Sequence, residues 1–174
     1  MEHVELLVRL KIPDVTALTA AGALRRRMGY GETLKSLKRA DYYRFEVDAP
    51  DAQSAIALVS EIAEKTNLFV NPNKHVFEVR AGGHEAAQST GTQVAHVLVT
   101  DPGDGSAEGA LAALSGRLGY GDRVRGLLKG VLWTLELDAP DAQAARKMAE
   151  EIAITRRREQ GLLMNPHFQE CEVW

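Results

Sequence analysis

The chain has 174 residues, of which 45% are apolar and 26% are charged, and its formal net charge is −3. This composition supplies enough apolar surface for a folded core, which excludes a disordered chain. The nearly balanced charge argues against a nucleic-acid partner, because phosphate binding needs a clustered positive field.

The spacing of apolar residues predicts the elements of the first eighty residues in chain order. Alternation indicates strands and recurrence every three to four residues indicates helices. The predicted elements are a strand over 4–11, a helix through 18–28, a short mixed segment over 33–38, a strand over 43–48, a helix through 52–63 and a strand over 76–79. The apolar stripe of the first helix consists of Leu18, Ala21, Leu24 and Met28. Gly29 suits the end of the first helix, and Pro50 suits the first turn of the second.

The second half of the chain repeats the first. The sequence Asp48–Gln53 recurs letter for letter 90 positions later, and so does Gly29-Tyr30-Gly31. Asn71-Pro72 recurs 94 positions later as Asn165-Pro166. Matches in the same order over a whole half indicate a tandem duplication. We therefore predict three segments: repeat 1 over 1–80, a flexible Gly-rich linker over 81–92, and repeat 2 over 93–174.

The element order β-α-β-β-α-β, present twice, predicts an α+β fold of two tandem ferredoxin-like repeats, with antiparallel sheets and helices on one face. The other sheet face needs cover, because Val94, His96 and Leu98 make it too apolar for water in repeat 2. We expect the two sheets to pack face to face or to join edge to edge, giving a pseudo-dimer within one chain.

The candidate catalytic and metal-binding residues of the sequence form no known pattern. The five histidines show no His-x-x-x-His spacing, and Cys171 is the only cysteine. Cys171 aligns with Phe77, so a buried apolar role is expected for its thiol. The pair Asp48 and Asp51 is explained by helix capping. We predict no catalytic residue, no cofactor and no metal.

The end of the chain, from Gly161 to Val173, resembles the C-terminal motif of the PurS family, the small subunit of bacterial phosphoribosylformylglycinamidine synthase. Repeat 1 has a looser copy over residues 68–79, and both repeats end their first helix with a Gly-Tyr motif that the family shares. The resemblance covers each half nearly end to end, whereas the usual subunit is a single copy of about half this length.

This resemblance implies a non-catalytic assembly subunit that bridges a glutaminase subunit (PurQ) and a synthetase subunit (PurL) in purine biosynthesis. The partners expected from it are PurL-like and PurQ-like subunits, with possible self-association, in the cytoplasm. The residues expected at interfaces come from the two repeated turns and the apolar strand face: Asn71, Pro72, Asn165, Pro166, Gly29, Tyr30, Gly119, Tyr120, Val94, His96 and Leu98.

Two other functions are weighed against this one. A small-molecule-sensing module would hold its ligand between the two ferredoxin-like halves, with the Gly-Tyr-Gly turns lining the site. A stand-alone enzyme would use His96 or His167, but neither has a triad-like or metal-like neighbour in the sequence. The absence of a charged leader, of an apolar run of ~18 residues and of a second cysteine fits a cytosolic protein without a membrane span.

Overall fold

A computed structural model describes residues 1–83, 91–154 and 163–174. The described elements are β1 (Glu2–Leu10), α1 (Val15–Arg27), β2 (Leu34–Val47), α2 (Ala52–Lys65), β3 (His75–Ala81), β4 (Gln93–Thr100), α3 (Ser106–Ser115), β5 (Val124–Leu137), α4 (Ala142–Ile154) and β6 (Glu170–Val173). The strands form a sheet in the order β3-β1-β2-β5-β4-β6. Strand β1 runs antiparallel to β2 and β3, and β4 runs antiparallel to β6. The predicted α+β class with an antiparallel sheet is confirmed.

The middle of each repeat differs from the prediction. The short mixed segment predicted over 33–38 and the strand predicted over 43–48 form one continuous strand, β2, of 14 residues. Its counterpart β5 is also a single strand of 14 residues. Residues 38–41 contain neither Gly nor Pro, so nothing in the chain interrupts the strand there. Each described repeat therefore has three strands rather than four.

The chain divides into two compact units, and each takes segments from both sequence repeats. Unit 1 comprises Met1–Ile12, Ala40–Gly83 and Gly103–Gly130. Unit 2 comprises Pro13–Arg39 and the described residues of 84–102 and 131–174. Helix α1 of repeat 1 thus belongs with the strands of repeat 2, and α3 of repeat 2 belongs with the strands of repeat 1. The predicted linker over 81–92 is described only at its two ends, since residues 84–90 lie outside the described ranges.

The core of unit 1 combines apolar residues of both repeats. Leu114 on α3, Tyr120 and Val124 come from repeat 2. They share one cluster with repeat 1 residues on β1, β2, α2 and the segment between α2 and β3, namely Val4, Leu6, Val8, Phe45, Val47, Ala55, Leu58, Val59, Ile62, Ala63, Phe69 and Val70. The apolar face of α2 (Ala52–Lys65) therefore packs in the same core as α3 (Ser106–Ser115) of the other repeat.

The core of unit 2 shows the converse arrangement. Repeat 1 supplies Leu24 on α1 and Leu34 on β2, together with three alanines of α1. Repeat 2 supplies the larger part, including Val97, Val99, Leu135, Leu137, Ala149 and Ile152. The repeats are therefore sequence units, whereas the cores are built by exchange of the first helix of each repeat.

Each unit contains an ion pair between the two repeats, and the residues of one pair stand 90 positions from their equivalents in the other pair. In unit 1, Arg125 Nη2 lies 3.5 Å from Asp48 Oδ2. In unit 2, Lys35 Nζ lies 3.6 Å from Asp138 Oδ2. Both pairs are exposed, so each stabilises the fold by only about 0.2 to 1 kcal/mol. Their recurrence shows that the same residue positions meet in both units.

The acidic residues at helix starts serve as caps. Asp51 Oδ1 accepts a hydrogen bond from the Ser54 N–H at 2.7 Å, and Asp141 Oδ1 accepts one from the Ala144 N–H at 2.8 Å. Such caps satisfy N–H groups that have no partner inside the helix. The prediction that the repeated Asp48–Gln53 sequence begins the second helix is confirmed.

A second pair of aspartates lies before the first helix of each repeat. Asp14 caps α1 and lies 3.4 Å from Arg39 Nη1, while Asp104 Oδ2 accepts from Lys129 Nζ at 3.0 Å. Hydrogen bonds from Ser106 and Lys129 lower the pKa of the Asp104 carboxyl to about 2. This aspartate therefore stays ionised well into the acidic range.

No helix in the described ranges is long and apolar enough to cross a bilayer.

Candidate interaction surfaces

The Asn-Pro turn of repeat 1 is exposed and held by its own polar groups. The Asn71 N–H donates to His75 Nδ1 at 3.1 Å, and Asn71 Oδ1 accepts from the Asn73 N–H at 3.0 Å. The His75 N–H in turn donates to the Asn71 carbonyl at 2.8 Å. Side chains that bond their own backbone in this way fix a turn without help from the core.

The turn of repeat 2 has the same construction with a different acceptor. The Asn165 N–H donates to Gln169 Oε1 at 2.7 Å, and the His167 N–H donates to Asn165 Oδ1 at 3.0 Å. The Gln169 N–H closes the turn on the Asn165 carbonyl at 3.0 Å. Asn71, Asn165 and the prolines after them are exposed. The predicted interface residues of both turns are thus accessible, and their use as contacts stays a prediction.

The two Gly-Tyr-Gly turns have internal roles. Gly29 and Gly119 adopt φ values of +80° and +74°, which favour glycine, and each follows the first helix of its repeat. In repeat 2, the Tyr120 hydroxyl donates to Glu61 Oε1 at 3.3 Å, and the Arg123 guanidinium lies 5.3 Å from the tyrosine ring. Tyr120 is only 8% exposed, so most of its surface is used inside unit 1.

The tyrosine of repeat 1 makes the corresponding approach in unit 2. Burial and the negative charge of Glu151 raise the pKa of Tyr30. Glu151 stands 90 positions after Glu61, just as Tyr120 stands 90 positions after Tyr30. Each Gly-Tyr-Gly turn therefore faces the second helix of the other repeat. Through this reciprocal pairing, both copies of the Gly-Tyr-Gly motif have a structural role.

The strand face that carries Val94, His96 and Leu98 is largely buried. Leu98 is 3% and His96 is 8% exposed, and neither belongs to the helix-facing clusters. The His96 ring lies 5.5 Å from the Trp174 ring, and its Nδ1 is 3.2 Å from Thr134 Oγ1. The backbones of His96 and Trp174 also exchange two hydrogen bonds. The role of this face in contacting a partner stays a prediction.

In repeat 1, a buried glutamate on β1 pairs with an arginine on β3 and a tyrosine on β2. This group was not predicted from the sequence. Glu5 is 3% exposed; its Oε2 accepts from Arg80 Nε at 2.6 Å and its Oε1 accepts from the Tyr42 hydroxyl at 3.0 Å. Burial, followed by the charge of Glu5 and its hydrogen bond, raises the pKa of Tyr42. The available signal was a glutamate between two apolar residues, Val4 and Leu6, in a strand.

Removing Arg80 will test how far unit 1 depends on this group. We expect Arg80→Ala to lower the free energy of unfolding by about 2 kcal/mol, less than for a fully buried pair because Arg80 retains partial exposure. The matched control is Arg9→Ala, which breaks the exposed pair with Glu78 and will cost below about 1 kcal/mol. Urea denaturation measures both. Equal losses for the two variants would contradict a special role for the buried Glu5 carboxylate.

Cys171, His96 and His167 are the other residues with reactive or metal-binding side chains that the sequence singles out. Burial, with a smaller contribution from Glu150, raises the pKa of the Cys171 thiol, and its side chain packs against the core of unit 2. Within the described ranges, no group of three or more His, Cys, Asp or Glu side chains is placed to hold a metal ion. His96 and His167 lie in different settings, one buried and one exposed.

Comparison with known proteins assigns a family to the first repeat. The family model PurS, described as phosphoribosylformylglycinamidine (FGAM) synthase, matches residues 3–83. No curated protein and no solved structure matches the chain.

Proposed function

We propose that this chain, whose residues 3–83 match the PurS family model, is a non-catalytic assembly subunit of FGAM synthase in the cytoplasm. In this proposal it bridges a PurQ-like glutaminase subunit and a PurL-like synthetase subunit in purine biosynthesis. The family match carries the proposal, since it supports a role in this synthase and spans a nearly complete repeat.

Two features of the turns support a bridging role. Each repeat presents an Asn-Pro turn whose backbone and side-chain hydrogen bonds are already formed. A preorganised turn loses little conformational entropy when a partner binds it. A chain with two such turns has two similar places at which a larger subunit can dock.

The two turns carry different side chains at the same position. Lys74 in the first turn and Phe168 in the second both lie three residues after the asparagine, and both are exposed. Phe168 is 55% exposed, which is high for an aromatic residue. Aromatic anchors suit apolar pockets, whereas an exposed lysine suits an acidic surface. We therefore assign one partner subunit to each turn.

Binding assays with each partner separately will test this assignment. Phe168→Ala is expected to weaken binding of one partner about tenfold or more, and Lys74→Glu is expected to weaken binding of the other. Lys147→Ala, on the exposed side of α4, is the control and should bind both subunits normally. Full retention of both partners by the Phe168→Ala and Lys74→Glu double variant would overturn the role of the turns. Failure of the unchanged chain to bind either subunit would overturn the assembly function itself.

A further inference from the structure

A cleft of about 390 Å³ lies within repeat 1, between the end of α2, the Asn-Pro turn and the start of β3. Its apolar lining includes the buried residues Ala63 and Val70, and Val76, which is 48% exposed. Lys11, Glu64 and His75 supply its titratable groups. The volume falls within the range of small-molecule sites, and the lining combines an apolar wall with a few polar groups, as such sites do.

The imidazole of His75 offers more than the turn requires. Its Nδ1 accepts the Asn71 N–H, so the neutral ring carries its proton on Nε2. In repeat 2 the same acceptor role is filled by Gln169, which shows that an amide oxygen is sufficient for the turn. An imidazole differs because its second nitrogen points away from the first, whereas the amide nitrogen of glutamine lies beside its oxygen. His75 therefore adds a donor directed away from the turn.

Lys11 is the second donor of the cleft. Its Nζ donates to the Pro72 carbonyl at 2.6 Å, and its backbone N–H donates to the Lys74 carbonyl at 2.9 Å. These bonds hold the ammonium group at the turn while two of its three protons remain for another acceptor. Together, Lys11 and His75 provide donors for a small carboxylate.

The cleft also has a negative side. Glu64 is the last residue but one of α2, and the carbonyl end of a helix favours a cation. A ligand with two or more negative charges and no positive one would be repelled here. A carboxylate and an ammonium group in one small molecule match the opposite charges of the lining.

The lining residues belong to repeat 1 alone. By alignment, Ile154 stands in repeat 2 where repeat 1 has Glu64, Glu170 stands in place of Val76, and Gln169 stands in place of His75. The combination of a donor pair, a carboxylate and an apolar wall is thus absent from the second sequence repeat. The cleft is a feature that one repeat has acquired or the other has lost.

We propose that this cleft binds a free α-amino acid with an apolar side chain. Its carboxylate is held by Lys11 and the Nε2–H of His75, and its ammonium group by Glu64 and the C-terminal end of α2. Its side chain covers Val70 and Phe77. This site lies inside unit 1, and the proposal does not depend on the assembly function.

Titration of the full ¹⁵N-labelled chain with L-leucine and L-phenylalanine, followed by NMR, will test the site. We expect shifts of the amide signals around residues 70–77, with a dissociation constant of about 0.1 to 1 mM. The compound 4-methylpentanoate, which is leucine without its amino group, should bind at least about tenfold more weakly because Glu64 then repels it. Leucinamide, which lacks the carboxylate, should bind more weakly by a similar factor.

Three variants report on the three polar groups. Lys11→Met and Glu64→Gln are expected to weaken leucine binding about tenfold or more. His75→Gln should do the same while keeping the turn, because repeat 2 forms it with glutamine. The matched controls Lys147→Met, Glu108→Gln and His167→Gln should leave binding unchanged. The spectrum of each unliganded variant shows that it is folded.

Several results would overturn the proposal. These are no shift with either amino acid, shifts that lie away from the cleft, or equal binding of 4-methylpentanoate and leucine. Because the titration uses the chain without partner subunits, each of these results would leave the assembly function standing. Loss of partner binding in Lys11→Met without any amino-acid binding would assign the cleft to the subunit interface instead.

Discussion

Replacing Leu114 by alanine will lower the free energy of unfolding by about 3 to 4 kcal/mol. Leu114 lies on α3 of repeat 2 and is fully buried in the apolar cluster of unit 1, whose other members come mainly from repeat 1. Truncation removes apolar contact area and leaves a cavity that the neighbouring side chains fill only in part. Leu24 on α1 is equally buried in unit 2, and Leu24→Ala is expected to cost a similar amount.

Leu18→Ala is the matched control for both substitutions. Leu18 is on the same helix as Leu24 but is 61% exposed, so its truncation should change stability by less than about 0.5 kcal/mol. Urea denaturation of the four proteins measures the differences. If Leu24→Ala and Leu114→Ala cost no more than Leu18→Ala, the exchanged helices would not be parts of the two cores.

The behaviour of Leu18 shows where periodicity failed. The apolar stripe predicted for α1 included Leu18, Ala21, Leu24 and Met28, yet Leu18 faces solvent. The buried residues of α1 are three alanines and one leucine, at 17, 20, 21 and 24. A ranking by hydrophobicity favours leucine over alanine, but small side chains let a helix approach its neighbours closely. The element was therefore predictable, and its buried face was predictable only in part.

The exchange of the first helices could not be predicted from the apolar pattern. A period of 3.6 residues indicates which side of a helix is apolar, but it does not indicate which sheet that side covers. The sequence did contain a related signal, because the tyrosine and the glutamate both recur 90 positions later. In the structure Tyr120 donates to Glu61, and Tyr30 approaches Glu151. When each copy of one motif contacts the opposite copy of another, both motifs are expected to recur at the same offset. Both motifs are visible in the sequence, whereas their pairing is visible only in the folded chain.

Other features were predictable because they depend on local chemistry. The Asp51 cap and the Asn-Pro turns use hydrogen bonds within a few residues, and the structure places both where the sequence indicated. The cleft at Lys11 and Glu64 was missed, because its residues are separated by about fifty positions and converge only in the folded chain. Turns and helix caps are therefore predictable from short sequence patterns, whereas the cleft depends on tertiary contacts.

Cleaving the chain between Gly83 and Gly91 will leave the two halves bound to each other. A protease site replacing residues 84–90 provides the cut, and the uncut form of the same protein is the control. Each unit contains segments from both sides of this position, so neither core can form from one fragment alone. We expect the cut protein to elute with the uncut one in size-exclusion chromatography. Native mass spectrometry should show one copy of each fragment.

The cut should also change how stability depends on concentration. In the intact chain the two repeats meet at an effective concentration set by the covalent connection between them, of the order of mM for a short connection. After cleavage their association becomes bimolecular, so the unfolding midpoint should fall and should rise again with protein concentration. The uncut control should show a midpoint independent of concentration. Two fragments that separate as compact folded monomers would instead mean that each repeat buries its own first helix, which contradicts the exchange on which both cores depend.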